Sequence, residues 1–414
     1  MAGQINLFLK QKNNKVVYRM VNRKESLDLL KKLISIKSNY FHEKEIMEYC
    51  YDWFRNNDMN ISYHHYIDDK VTNFNGINII GEIKGTEEGP VLLINGHLDT
   101  VEECTGWSKN PYVPEEKDGK LYGLGSLDMK SGCVAAMMAL REFKRNVKNF
   151  KGKIIYSFVS DEEGPYGLGT NFLLNDGLMA ESDIALVTEP SSGFLHMKTP
   201  VICLGARGGY GYSIKIYGKS SHAATPENGI NAVDEAGKLL VELSKTVPVY
   251  DEKLGYSSHC VIEIKGGGAA CSVPDNAEIK VFRHIVRGES KATIIKEIDE
   301  AAKKCELKGG YEIVFREAPL ENADGFMPYV VDENLLEIDL LKDSIKKVTS
   351  KEAEIKYFSS IGDFNSIASK LNIPVIIYGA SGDNFHGSDE AVDIESFYET
   401  IEVIYDFLVK YLAV

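Results

Sequence analysis

No stretch of this 414-residue chain approaches the ~18 unbroken apolar residues that a membrane-spanning helix requires, so no membrane partner is expected. The amino terminus, Met1 to Lys12, lacks an apolar core of signal-peptide length and a small-residue cleavage pattern, which makes the cytoplasm the expected location. Cysteine is scarce. Cys50, Cys104, Cys133, Cys203, Cys260, Cys271 and Cys305 are odd in number, scattered, and include no Cys-x-x-Cys. That argues against a zinc knuckle or a dithiol redox motif and leaves reduced, mostly buried thiols as the expectation. Basic residues are in deficit as well, 47 Lys and Arg against 61 Asp and Glu, for a net charge of −14. A nucleic-acid partner needs the opposite balance. The acidic excess suits a cation or simple solubility instead.

What is present is apolar material, 44% of all residues, spread over more length than the ~250–300 residues at which a single core stops growing. Two domains are expected. From about Glu25 the pattern is helical, with Leu27, Leu30 and Ile34, then Ile46, Tyr49 and Trp53, at three- and four-residue spacings. The residues before that fit neither period and form an extension of unassigned role. Three apolar runs follow at Val91–Ile94, Ile154–Val159 and Ile184–Val187, and a fourth at Val375–Tyr378. Short, β-branched and not alternating, they predict strands covered on both faces, with helices such as Met129–Arg145 between them. The fold class is α/β: a mixed, mostly parallel sheet flanked by helices.

From about Arg207 the order changes to strand (Tyr210–Tyr217), helix (Ile230–Leu243), two strands (Val261–Lys265, Glu278–Ile285), helix (Ala292–Lys304) and strand (Tyr311–Phe315). This β-α-β-β-α-β order is the ferredoxin-like split unit. It predicts an inserted α+β domain over residues 207–318 within a catalytic domain made of 1–206 and 319–414, with the two crossings as possible hinges.

Ligands of open α/β sheets bind beyond the carboxyl ends of the strands, and those ends are heavily loaded here. They read Asn95-Gly-His97-Leu-Asp99, Ser160-Asp-Glu162-Glu163-Gly164, Thr188-Glu189-Pro190 and Gly379-Ala-Ser-Gly-Asp-Asn-Phe-His386, while Asp128 opens the Met129 helix. Two imidazoles and several carboxylates on one rim would repel and protonate unless a cation held them ionised. Nitrogen and oxygen without thiolate suit zinc, cobalt or manganese, and the set exceeds what one tetrahedral ion requires. Two ions ~3.5–4 Å apart, sharing one carboxylate, would use them all. Singly, each residue has a duller reading: Asp128 as a helix N-cap, His97 as a satisfied core histidine, Glu189 as a cap before Pro190. The coincidence at four strand ends outweighs them.

These segments, with the Gly123-x-Gly125-x-x-Asp128-Met-Lys-x-Gly132 stretch, strongly resemble the co-catalytic zinc amidohydrolases, the family of acetylornithine deacetylase, succinyl-diaminopimelate desuccinylase, glutamate carboxypeptidase and aminoacylase. The resemblance runs from about Glu25 to the carboxyl terminus in the family's motif order. It implies two divalent ions, with His97 and Glu189 as terminal ligands, Asp128 as the bridge, and Glu163 and His386 completing the set. It also implies Glu162 as general base and Asp99 as the group that orients His97. Ser221-His222-Ala223-Ala224-Thr225-Pro226 resembles the segment whose histidine stabilises the oxyanion in a partner subunit's site. Arg283 matches the arginine that binds the substrate carboxylate, although Phe282 stands where many relatives have Asp and Cys271 where many have Asn. The implied enzyme is a homodimer that hydrolyses the amide bond of an N-acyl amino acid or small peptide bearing a free carboxylate.

Rival readings fall away on single residues. Gly123-x-Gly125 is no dinucleotide loop, because Asp128 occupies the place of the third Gly. Ser381-Gly382-Asp383 is no nucleophile elbow, because Asp383 replaces the final Gly. His42, His64, His65, His196, His259 and His284 have no ligand partners at useful spacing and read as structural. The alternative function is a metal-dependent binding or scaffold protein without turnover, for which Glu162 would be dispensable.

Overall fold

The computed structural model describes residues 22–413 apart from Pro165 and Asn322. The extension of unassigned role lies outside the described residues up to position 21. Its main sheet runs in the spatial order Ser62–Asp68, Phe74–Lys84, Lys151–Val159, Glu87–His97, Ile184–Val187, Val375–Ile377, Val201–Ala206, with Tyr329–Val330 and Glu354–Phe358 both paired to the last. The middle four are mutually parallel, and the expected α/β class holds. Antiparallel pairings close both sides.

Both faces of the centre are covered, which explains the unbroken apolar runs. Leu92 and Ile94 point into one core with the helices Arg23–Ser35, Lys44–Asn56, Lys130–Asn146, Leu336–Thr349 and Ile394–Leu412. Leu93 points into the other, with Leu168–Asn175 and Asp363–Leu371. Burial of this kind contributes about 25 cal/mol per Å² of apolar surface. The Ala- and Met-rich helix Lys130–Asn146 is buried along its whole length as far as Phe143, with Lys130 held by the Leu33 and Ile36 carbonyls and Arg141 by Glu25 and Glu142. Gly132 lets its first turn touch the end of Ile184–Val187, since a Cβ there would lie 1.8 Å from the Thr188 carbonyl oxygen. That contact draws the residues preceding the helix toward the loop after Val187.

The second sheet is antiparallel throughout, in the order Ser258–Gly266, Asn276–Ile285, Gly208–Tyr217, Gly310–Phe315. This is the ferredoxin-like arrangement, with the helices Ala232–Leu243 and Lys291–Lys304 packed on one face. Among the described residues no helix is long and apolar enough to cross a membrane. All seven cysteines are free, but Cys104, Cys260 and Cys271 are exposed, so the expectation of mostly buried thiols is corrected: these three sit in loops or on an edge strand.

Candidate metal centre

Five chain segments deliver the site, from strand ends, the start of a helix and one loop. His97 is the last residue of Glu87–His97 and is 1% exposed. Beyond Lys151–Val159 the chain turns at Asp161, whose φ of 58° lies in the left-handed region and whose carboxylate accepts the Leu168 N–H at 3.1 Å. This turn presents Glu162 and Glu163. Glu189 follows Ile184–Val187, and Asp128 precedes Lys130–Asn146. His386 comes from the loop after Val375–Ile377.

Two groups of metal-ligating atoms result, His97 with Asp128 and Glu189, and Asp128 with Glu163 and His386, all atoms of each group within 4.8 Å of one another. Asp128 belongs to both. Its Oδ1 is 3.4 Å from His97 Nε2 and its Oδ2 is 3.2 Å from His386 Nε2. Glu189 Oε1 stands 3.4 Å from His97 Nε2, and Glu163 stands 2.9 Å from His386 Nε2. Asp99 is in neither group: one carboxylate oxygen accepts the Glu163 N–H at 2.9 Å and the other lies 3.6 Å from His97 Nδ1, while the Asp99 backbone carbonyl, 3.1 Å from Nδ1, orients the ring. Glu162 is also in neither. Its Oε1 accepts the Asp363 N–H at 3.2 Å, and its Oε2 is 3.8 Å from His97 Nε2.

The electrostatics ask for a cation. Burial pushes Glu189 up to about 8, with the His97 charge opposing. Burial also raises Glu162 and Glu163, the latter helped by the Asp128 charge. Burial would raise Asp128 too, but the imidazoles of His386 and His97 outweigh it and hold that carboxyl well below its ordinary range. Both imidazoles resist charging because they are buried, yet the surrounding carboxylates win. Glu189 and Asp128 hold His97 well above its usual range, and Asp128 and Glu163 bring His386 up to about 11. Asp128 apart, the acids are pushed toward their neutral form and the imidazoles toward their charged form, and a divalent cation among them would relieve both. His97 Nε2 and Glu189 Oε2 are buried without hydrogen-bond partners, an arrangement that is costly unless something binds there. The residues fit a metal pair.

Sequence reasoning did not single out two further buried acids. Glu390, 1% exposed, accepts the backbone N–H groups of Gly125, Leu127 and Asp128 at 2.9, 2.8 and 3.0 Å, and so fixes the loop that carries the shared ligand. Asp363, pushed up to about 7 by burial, accepts the Thr170 hydroxyl and offers its own N–H to Glu162.

His222 and Arg283 are not brought to the cluster. His222 lies in an exposed loop between the strand Gly208–Tyr217 and the helix Ala232–Leu243, its Nδ1 accepting the Ala224 N–H at 3.0 Å. Arg283 is 3% exposed on the helix-covered side of its strand. Its guanidinium is held by Glu289 at 2.7 Å and Glu297 at 2.9 Å. The expectation that Arg283 receives a substrate carboxylate gives way to this pairing, because the alternation that buries Val281 and Ile285 beside it aims it away from the bare face.

Comparisons with known proteins point the same way as the geometry. A family model described as peptidase family M20/M25/M40 matches residues 93–410. The chain is 31% identical over 339 residues to a succinyl-diaminopimelate desuccinylase of Acinetobacter baumannii strain SDF, covering 80% of this chain and 85% of that one. It is 27% identical over 346 residues to the desuccinylase of Sulfurovum sp. strain NBC37-1, covering 82% and 89%. Among solved structures, a tripeptidase from Staphylococcus aureus superposes with a TM-score of 0.77 at 22% identity, over 94% of this chain and 98% of that one. An M20 family metallo-carboxypeptidase from Sulfolobus solfataricus gives 0.75 at 15% identity, over 94% and 99%. At such identities the structural likeness bears on the fold alone.

Proposed function

The chain belongs to peptidase family M20/M25/M40 and is an amide-bond hydrolase, and from that premise we propose that it cleaves an N-acyl amino acid or small peptide bearing a free carboxylate, using two divalent ions and Glu162 as general base. The observation that carries this reading is that one carboxylate, Asp128, is common to two ligand groups while Glu162 belongs to neither and stands 3.8 Å from His97. Bound ions, held by His97, Asp128 and Glu189 and by Asp128, Glu163 and His386, would supply Lewis acidity at the scissile carbonyl and lower the pKa of water toward ~7. Zinc suits the nitrogen and oxygen set, as do cobalt and manganese.

The remaining work falls to side chains. The Asp99 carbonyl, hydrogen-bonded to Nδ1, keeps the His97 ring oriented with Nε2 toward the cluster, and the Asp99 carboxylate lies close by. Glu162 accepts the proton of the attacking water and returns it to the leaving amine, and a carboxyl raised by burial is the stronger base for that task. A binding protein of the same fold would have no use for an acid placed there. The test is a panel of N-acetyl and N-succinyl amino acids, dipeptides and tripeptides, offered to chelator-treated protein before and after zinc, cobalt or manganese is restored. Metal-dependent turnover of at least one class is expected. A protein that takes up the ions and turns over none of them is the binding alternative.

The same proposal includes a homodimer in which His222 acts on the partner's site, in a cytoplasm that keeps the seven free thiols reduced. The strand Ser258–Gly266 has an outer edge without a strand partner among the described residues, and it exposes Val261, Ile262 and Ile264. Such an edge invites pairing with a second copy. Mixing inactive Glu162→Ala with inactive His222→Ala protomers should then restore part of the activity, because one site of the heterodimer contains both intact residues. No rescue after verified subunit exchange would refute the assignment in trans and leave the metal chemistry standing.

A further inference from the structure

The strand Gly310–Phe315 pairs Val314 with Ser213 and Phe315 with Tyr212, and the next residue, Arg316, donates its N–H to the Gly211 carbonyl at 3.0 Å. Alternation places Phe315 with Tyr212 on the helix-covered side. Arg316 shares the opposite, bare side with Ser213, Phe282 and His284. Gly211 leaves that side open beside Arg316, since a Cβ there would meet nothing within 4 Å.

From this position the Arg316 side chain crosses to the catalytic domain. Its guanidinium carbon lies 4.3 Å from the centroid of the Tyr166 ring, and Tyr166 stands three residues after Glu163 in the same turn. Several other arginines are ion-paired, Arg141 with Glu25 and Glu142, Arg283 with Glu289 and Glu297, Arg287 with Asp251, and Arg207 donates to the Leu254 carbonyl. Arg316 forms no ion pair among the described residues, and its Nε is buried without a hydrogen-bond partner. Asp161 is close enough to be felt, but burial dominates and lowers the pKa of the guanidinium; one Asp161 oxygen accepts the Leu168 N–H and the other, buried without a hydrogen-bond partner, forms no ion pair with Arg316. A half-buried, unpaired cation is costly to keep. Lying against an aromatic ring, it still presents its in-plane N–H fork, whose shape matches a carboxylate.

We propose that Arg316 is the specificity-determining residue of this site, receiving a free carboxylate of an acidic substrate on the rim beside the turn that carries Glu162. This rests on the hydrolase reading above and gives Arg316 the task that the sequence alone suggested for Arg283. The ring of Tyr166 sets the plane of the fork, and the opening at Gly211 leaves space for the substrate's acidic end. Neutral substrates of the same size would leave the fork unpaired.

The experiment is a calorimetric titration of the zinc-loaded full chain with succinate and with its neutral counterpart succinamide. Wild-type protein should prefer the dicarboxylate. Arg316→Gln should reduce that preference by roughly tenfold or more, the size expected when a hydrogen bond to a charged group is lost. Arg316→Lys, which keeps the charge without the planar fork, should recover only part of it. Any carboxylate affinity due to zinc alone is common to all three proteins and cancels in the comparison. A wild-type protein without preference, or a preference untouched by Arg316→Gln, overturns the proposal. So does a lower Tm with unchanged preference, which would make Arg316 only a tie between the two sheets. Should Arg316→Gln fail to fold, an unchanged preference in Arg316→Lys overturns it equally. Failure of the hydrolase reading is seen separately, as absence of amide turnover by wild-type protein whatever the binding preference.

Discussion

Replacing Glu162 by Gln is expected to leave both ions in place and to reduce turnover by ~10²–10⁴-fold, the contribution typical of a general base. The amide keeps the shape of the carboxyl and an oxygen to accept the Asp363 N–H, a contact of 3.2 Å in the native protein. What it loses is basicity alone. Glu162 is absent from both ligand groups, so metal content measured by elemental analysis should stay at the wild-type level while kcat/KM falls. Glu162→Ala should be as inactive and in addition less stable, because the buried Asp363 N–H is then left without an acceptor, which costs ~1–3 kcal/mol. Near-normal turnover in either variant would remove Glu162 from the mechanism. Loss of an ion in Glu162→Gln would instead make it a ligand.

Why the ligands could be read from the chain and some of their supports could not is a matter of sequence distance. All the ligands but Asp128, which opens a helix, lie in short motifs after an apolar run such as Val91–Ile94, and runs covered on both faces announce themselves. The helix expected at Met129–Arg145 is found at Lys130–Asn146. By contrast, the edge strand Ser62–Asp68 reads as polar, Ser-Tyr-His-His-Tyr-Ile-Asp, and its alternate residues are buried by distant or turn contacts, His64 against Asp176, Tyr66 stacked on Phe172, Asp68 accepting from Thr72. Val201–Ala206 was likewise not foreseen, although it anchors the far side of the sheet. Glu390 reaches N–H groups more than 260 residues earlier in the chain, and no local pattern encodes that contact. The sole signal was an acid immediately before the apolar pair Ala391-Val392. Arg283 was legible in principle. The period-2 burial of Ala277, Ile279, Val281 and Ile285 already put it on the covered face, and the family resemblance overrode that alternation.

Asp128→Ala should have the widest consequences of any single ligand change, because it removes one donor from each of the two groups. His97 and Glu189 would remain on one side, Glu163 and His386 on the other, and two protein ligands fall short of the three or four that zinc sites use. Both ions should be lost on dialysis and activity with them. Replacing Glu189 or His386 should instead deplete one ion more than the other. Charge makes the same point. Asp128 is the carboxyl that both imidazoles hold well below its ordinary range, so it is the fixed negative charge between His97 and His386. Asp128→Asn keeps the size and one acceptor but not the charge, and should weaken both sites while leaving the loop in place, since the Asp128 N–H still meets Glu390. Each imidazole should then titrate lower than in the wild type when both are compared without metal, a shift that proton-detected NMR of the ring resonances can read. Two full ions retained by Asp128→Ala, or loss confined to one of them, would refute a shared carboxylate.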